Sequence, residues 1–344
     1  MATRRDVARL AGTSEAVVSY VLNDGPRGVA PATRERVLAA IAELGYRPNA
    51  VARSLRTRRT MTLGVVVPDN SNQFFAELAR SIEDVGFEYG YTMLLGNAMN
   101  DEARELKYVR TLVDRQVDAV MLAPSYGSHE WASELAQRSI PWLVLDRELE
   151  IPNATHVLGD HFGGAYAATA HLLGHGRRRV GCVAGTAGVQ PTIDRVAGWQ
   201  AALRDAGVDP DTMPLVHVPF GRGPGYQAGR QLLGGPDVPD ALFVASDHQA
   251  FGVLRAASEL GVSVPDELAL CSFDGIEPSA YTVPALTTVR QPFDEIARSA
   301  MEWLLAKLAD ASEPTARIVL PVTLIKRGSC GCPDPPGGDD GTDA

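Results

Sequence analysis

The sequence predicts two architectures in one chain: a small all-α head of helix-turn-helix type, and an α/β body made of two parallel-sheet subdomains. Three observations carry this. The first 45 residues show helical periodicity with capping signals and no strand-like run. From Thr62 onward, continuous apolar runs alternate with helix-like segments, the pattern of parallel sheets covered by helices. The charge divides at the same place. Residues 1–60 hold 11 Arg, no Lys and 5 acidic residues, a net of +6, whereas the other 284 carry 21 basic and 37 acidic groups, a net of −16. A basic head on an acidic body points to a nucleic-acid-binding module joined to a partner of different function.

The elements follow in order. Thr3 with Asp6 three positions later has the form of a capping box and starts the first helix, which Gly12 ends. Thr13 or Ser14 caps a second helix running to about Leu22, and NDGPRG is a loop. Pro31 suits the first turn of a third helix, ATRERVLAAIAELG, with Val37, Leu38, Ile41 and Leu44 as its apolar stripe and Gly45 as its stop. Residues 48–59 read as a linker of weak helical character. In the body TLGVVVPD, YTMLLG, DAVMLAP, PWLVLD, RVGCVAG, LVHVPF, ALFVAS and LALCSF read as buried strands. Between them lie helical stretches such as FFAELARSIEDVGFEYG, RVAGWQAALRDAG and HQAFGVLRAASELG. The strands are too many for one sheet, hence two subdomains. The expected divisions are residues 1–47 for the head, 48–60 for the linker, 61–328 for the body and 329–344 for a disordered acidic tail.

Several function classes are disfavoured. No run of about 18 apolar residues exists, so no membrane span is expected. MATRRDVARL lacks the apolar core of a signal peptide, so a cytoplasmic protein is expected. Cys182 and Cys271 sit in strand-like runs and are expected as buried small hydrophobes. Cys330 and Cys332 form a lone CxC in the tail, too few ligands for an ion, so free thiols, no metal and no cofactor are expected. No G-x-G-x-x-G follows the first strand and no P-loop string occurs, so an α/β enzyme ranks low. A transporter's solute-binding protein would suit the body but not the basic head.

The head carries a resemblance. DVARLAG, TS and VSYVLN, then TRERVLAAIAELGYRPN, then AVARSLRTRRT, stand in the order found in the lactose-repressor family of bacterial transcription regulators. The chain is similar to that family from Thr3 to about Gly328. The resemblance implies that the second helix enters a DNA major groove, bringing Ser14, Glu15, Ala16, Ser19, Tyr20 and Asn23 to the duplex, with Thr33 alongside. Ser14 and Ser19 suit phosphate contacts. Glu15 suits a cytosine amino group, or else serves as a first-turn acid favoured by the helix dipole, and Ala16 suits a thymine methyl. Tyr20 departs from the Arg or Lys of many relatives and cannot read guanine by a bidentate bond. Ala30 departs from a capping Ser, weakening that helix start by ~1 kcal/mol. The linker resembles the family's hinge helix, with Leu55 as a minor-groove wedge and Asn49, Ala50 and Ala52 facing the groove or the mate.

For the body the resemblance implies a periplasmic-binding-protein-like core, two α/β lobes with a ligand cleft between them. Ligands in such sheets bind beyond the carboxyl ends of strands. Residues following the apolar runs are therefore candidates: Phe74, Ser125, Asp146, Arg147, Arg195, Phe220, Asp247, Asp274 and Gln291. Carboxylates, an Arg fork and aromatic faces together suit a sugar or short oligosaccharide, with a purine-like ligand second. Asp247 has an alternative as a helix cap or lobe-interface residue, and Phe74 and Phe75 are expected to split between cleft and core. A homodimer on a near-palindromic operator completes the expectation.

Overall fold

The structure is a computed structural model that describes residues 2–23, 28–47, 54, 59–125, 127 and 129–333. It forms two compact units, residues 1–60 and 61–344. The first holds α1 (Arg4–Leu10), α2 (Glu15–Asn23) and α3 (Pro31–Leu44). The capping box is present: the Thr3 hydroxyl accepts from the Asp6 amide while Asp6 accepts from the Thr3 amide. Val7, Val18, Val21, Val37, Ala40 and Tyr46 form its small core. Ala30 starts α3 with no side-chain capping bond, and Gly45 ends it with φ 57°, a left-handed conformation that suits glycine. The linker residues 48–53 and 55–58 lie outside the described residues, and with them Asn49, Ala50, Ala52 and Leu55.

The second unit has two six-stranded sheets. One contains β1 (Thr62–Val67), β2 (Thr92–Asn97), β3 (Ala119–Leu122), β4 (Trp142–Leu145), β5 (His156–Gly159) and β11 (Arg317–Leu320), in the order β11-β5-β4-β3-β1-β2. The other contains β6 (Val180–Ala184), β7 (Leu215–His217), β8 (Ala241–Val244), β9 (Ala269–Asp274), β10 (Thr287–Arg290) and β12 (Thr323–Ile325), in the order β12-β10-β9-β8-β6-β7. All pairings are parallel except β10 with β12. The two orders are the same pattern repeated. In each, the chain steps outward from the first strand and then returns to its other side, which opens a crevice at the strand ends.

Helices cover both faces. The first lobe uses α4 (Gln73–Glu88), α5 (Glu102–Asp114) and α6 (Glu130–Gln137); the second uses α7 (His161–Gly174), α8 (Gln190–Asp205), α9 (Arg222–Leu233) and α10 (Asp247–Leu260). The last long helix, α11 (Phe293–Ala309), returns to the first lobe, where Phe293, Ile296, Ala297 and Leu304 pack with Leu63, Val65 and Leu78. The chain thus crosses between lobes three times, after β5, after β10 and between β11 and β12. Among the described residues no helix is long and apolar enough to cross a membrane.

Two readings of the sequence need correction. Helix α9 is absent from the helical stretches read from the sequence, and its GRGPGYQAG stretch holds four glycines and a proline, which disfavour a helix. The glycines are there for packing: a Cβ at Gly225 would stand 2.2 Å from the Gln249 carbonyl oxygen, so only glycine lets α9 lie this close to α10. The tail also begins later than residue 329. Ser329 and Cys330 are fully buried behind β9 and β10, with the Ser329 hydroxyl donating to the Leu270 carbonyl. Residues 334–344 lie outside the described residues.

Candidate functional site

A cleft of about 380 Å³ lies between the two lobes. The first lobe lends it Asp69, Asn72, Phe74, Phe75, Asn100, Asp146 and Arg147; the second lends Thr186, Val189, Pro191, Arg195, Pro219, Phe220 and Asp274. Its placement follows from topology, since these residues sit at strand ends or in the helical turns that follow. Asn72 caps α4, accepting from the Phe74 amide at 3.1 Å, and so aims the first turn at the cleft. Phe74 and Phe75 pack edge to face at 4.9 Å. Both line the cleft and both belong to the core behind it, so they do not divide the two roles.

Arg195 is the hub. Its guanidinium lies 3.9 Å from the centre of the Phe273 ring and 5.9 Å from that of Phe220. It pairs with the Asp274 carboxylate at 3.4 Å and donates to the Ala245 carbonyl. It also faces the His161 Nδ1 at 3.3 Å, while the His161 Nε2 lies 3.1 Å from the Asp146 carbonyl. The network assigns the proton to Nε2, which donates to the carbonyl, and leaves Nδ1 to accept from Arg195. Burial, with the Arg195 charge adding to it, holds the His161 imidazole down to about 4, so it is neutral at physiological pH.

Asp274 has the opposite perturbation. Burial pushes its carboxyl up to about 8, opposed by Arg195 and assisted by the neighbouring Asp247 and Asp146 carboxylates. Gln291 donates to it at 3.1 Å. Asp146 and Asp274 both have positive φ, 66° and 116°, a conformation that costs non-glycine residues free energy and concentrates at functional sites. The Asp146 Oδ1, Arg195 Nε and Thr192 Oγ1 atoms are buried without a hydrogen-bond partner in the protein.

Six of the nine expected cleft residues line it: Phe74, Asp146, Arg147, Arg195, Phe220 and Asp274. Three do not. Ser125 is buried beside it, its amide donating to the buried Glu105 carboxylate, which burial pushes up from its ordinary value. Gln291 stands behind Asp274. Asp247 lies beneath the Asp274 turn, accepting from the Thr288 hydroxyl at 2.7 Å, the Ile276 amide at 2.9 Å and the Ser272 hydroxyl. Burial pushes it up to about 6, these hydrogen bonds opposing. Gly185 was not singled out in the sequence. A Cβ there would fall 2.1 Å from the Phe220 ring and 2.4 Å from Thr192 Oγ1, so glycine makes room for the aromatic wall.

In the head Ser14, Glu15 and Ala16 are exposed, Ser19 and Tyr20 half-buried, while Val18 and Val21 are buried. Positions 15, 16, 19 and 20 share a face of α2 away from the core, as one-turn spacing requires. Thr33 on α3 accepts from Arg36 at 3.4 Å. The Asn23 side chain lies outside the described residues.

Comparison with known proteins gives a consistent picture. Residues 3–49 match the family described as bacterial regulatory proteins, lacI family, and residues 169–330 match a periplasmic binding protein-like domain. The ribose operon repressor of Escherichia coli strain K12 is 34% identical over 331 residues, covering 96% of this chain and 100% of the relative. The HTH-type transcriptional repressor PurR of Klebsiella pneumoniae strain 342 is 34% identical over 331 residues, covering 96% and 97%. Among solved structures, the lac repressor dimer bound to operator and an anti-inducer has a TM-score of 0.82 at 26% identity, covering 96% of this chain and 99% of that one.

Proposed function

We propose, because this chain belongs to the lacI family of bacterial regulatory proteins, that it is a dimeric repressor whose grip on a near-palindromic operator is set by a small sugar in the inter-lobe cleft. It acts in the cytoplasm, where the operator is. The observation that carries the ligand class is the meeting of Asp146, Arg195 and Asp274 between the aromatic walls of Phe74 and Phe220. The Asp146 carboxylate accepts from sugar hydroxyls, the protonated Asp274 carboxyl donates as well as accepts, the guanidinium donates as a planar fork, and phenyl faces cover the apolar side of a sugar ring. A relative named as the ribose operon repressor, and a lacI-family regulator from Enterococcus faecium solved with bound ribose, make a pentose the first ligand to try.

The mechanism rests on ligand groups from both lobes. A sugar touching Asp146 on one lobe and Asp274 on the other stabilises one lobe angle over others. It shifts an equilibrium only by binding the two states unequally. On DNA, the α2 face of Glu15, Ala16, Ser19 and Tyr20 reads the major groove, Thr33, Asn23 and the linker residues Asn49 and Ala52 support it, and Leu55 wedges the minor groove. Ser125, Asp247 and Gln291 support the cleft from behind.

A purine is the second reading, supported by the phenyl rings of Phe74 and Phe220 in the cleft lining, which suit a flat heterocycle. Titration calorimetry with pentoses, hexoses, disaccharides and free purines separates the two. Saturable heat with one sugar, coupled to altered operator affinity, is the expected result. Heat with a purine alone transfers the site to the second reading.

A further inference from the structure

Four side chains outside the cleft converge at the far end of α7: His171 and His175, one helical turn apart, with Cys330 and Cys332 from the end of the described chain. Their ligand atoms all lie within 4.8 Å of one another. We propose that these four residues form a structural zinc site.

The distances fit a tetrahedron. With zinc–nitrogen bonds of about 2.0 Å and zinc–sulfur bonds of about 2.3 Å, its edges are about 3.3 Å between two nitrogens and about 3.5 Å between nitrogen and sulfur. The two Nε2 atoms are 3.2 Å apart. His171 Nε2 lies 3.2 Å from Cys330 Sγ and 3.6 Å from Cys332 Sγ, and His175 Nε2 lies 3.4 Å from Cys332 Sγ.

Hydrogen bonds alone account poorly for this cluster. An imidazole nitrogen offers one proton or one lone pair, yet His171 Nε2 has three such neighbours. One divalent ion satisfies all four groups together. Two imidazoles and two thiolates are a closed donor set for zinc, with no position left for water.

The surroundings prepare the sulfurs. Cys330 is buried, and the Thr287 hydroxyl lies 3.1 Å from its Sγ. The buried Cys271 thiol and the Cys332 amide also donate hydrogen bonds to it. Such outer contacts favour the thiolate a metal needs. Gly331, between the cysteines, has φ 96°, a turn that brings both sulfurs to one side. His175 is exposed, and His171 and Cys332 half-buried, so an ion reaches the site from solvent. The expected consequence is a clamp that ties residues 330–332 to the helix whose other end carries His161.

The test uses the full chain, purified without immobilised metal and dialysed against a small excess of zinc, then freed of unbound ion. Mass spectrometry for metals is expected to find one zinc per chain. Co2+ in its place should give tetrahedral ligand-field bands with thiolate-to-cobalt charge transfer. Cys332→Ser and His175→Ala, both at accessible positions, should each cut retained zinc at least tenfold. A wild-type chain that retains no zinc, with Cys330 and Cys332 found as thiols or as a disulfide, overturns the site. Retention unchanged in both variants overturns it equally.

Discussion

Asp146 and Asp274 occupy the same station in two different sheets. Asp146 directly follows β4 and Asp274 is the last residue of β9, each the third strand of its sheet order, and each holds a positive φ at the same cleft. The repeated βα pattern therefore supplies one carboxylate per lobe from equivalent positions. The backbone strain at both is accepted where the ligand groups must converge.

Asp274 should make stability depend on pH. Its carboxyl, raised to about 8, keeps a proton between 3.8 and 8 that the unfolded chain has released, so stability falls as pH rises through that window. Asp247, raised to about 6, acts in the same direction over 3.8 to 6. His161, lowered to about 4, acts in reverse: stability falls as pH drops from 6.5 toward 4. Of these three, only Asp274 titrates above pH 6.5. Melting temperature should decline from pH 6.5 to 8 in the native chain, and the decline should flatten in Asp274→Asn. Superimposable profiles would mean that Asp274 holds no proton there.

Gly185→Ala should damage ligand binding more than folding. The added methyl meets Phe220 and Thr192 and must displace the aromatic wall. Overpacking of this kind costs roughly 1–3 kcal/mol, and the flexible Phe220 ring can move aside. The expected result is a tenfold or greater loss of sugar affinity by calorimetry, with operator binding retained in gel shift. Unaltered sugar affinity would remove Phe220 from the ligand contacts.

Ala30→Ser should stabilise the head. The start of α3 lacks a side-chain cap, and a Ser hydroxyl there would accept from an amide of the first turn. The gain is about 1 kcal/mol, read as slower hydrogen exchange at the first-turn amides of α3. Unchanged exchange would show that the helix start is already satisfied.

Operator binding should weaken steeply with salt, because a head of net +6 displaces counterions from phosphates. Leu55→Ala should reduce operator affinity by an order of magnitude without altering sugar affinity. Fluorescence anisotropy across a salt series checks both, and equal operator affinity would end the wedge assignment.

Much of the molecule was legible in sequence because its signals are local. Thr3 and Asp6, Pro31 and Gly45 mark helix ends by rules that involve only neighbours. The buried parallel strands announce themselves as apolar runs. The strand-end rule reached six cleft residues but could not say which way a side chain turns. Asp247 and Ser125 stand at strand ends and face inward. His161 was missed because β5 is only four residues long and sits in the mixed run HVLG. The cluster of His171, His175, Cys330 and Cys332 was invisible for a simpler reason. His171 and Cys330 stand 159 positions apart, and the apparent tail offered no reason to search for partners.

The three crossings between lobes impose an order on assembly. The first lobe lacks the α11 side of its core until residues 293–309 have been synthesised, because Phe293, Ile296, Ala297 and Leu304 belong to it. The second lacks its edge strand until residue 325. Neither half can mature early on the ribosome, although the head of residues 1–60 can. A nascent chain therefore presents a DNA-reading module before it has any means of sensing a ligand, and both halves of the sensor are completed together at the end of synthesis.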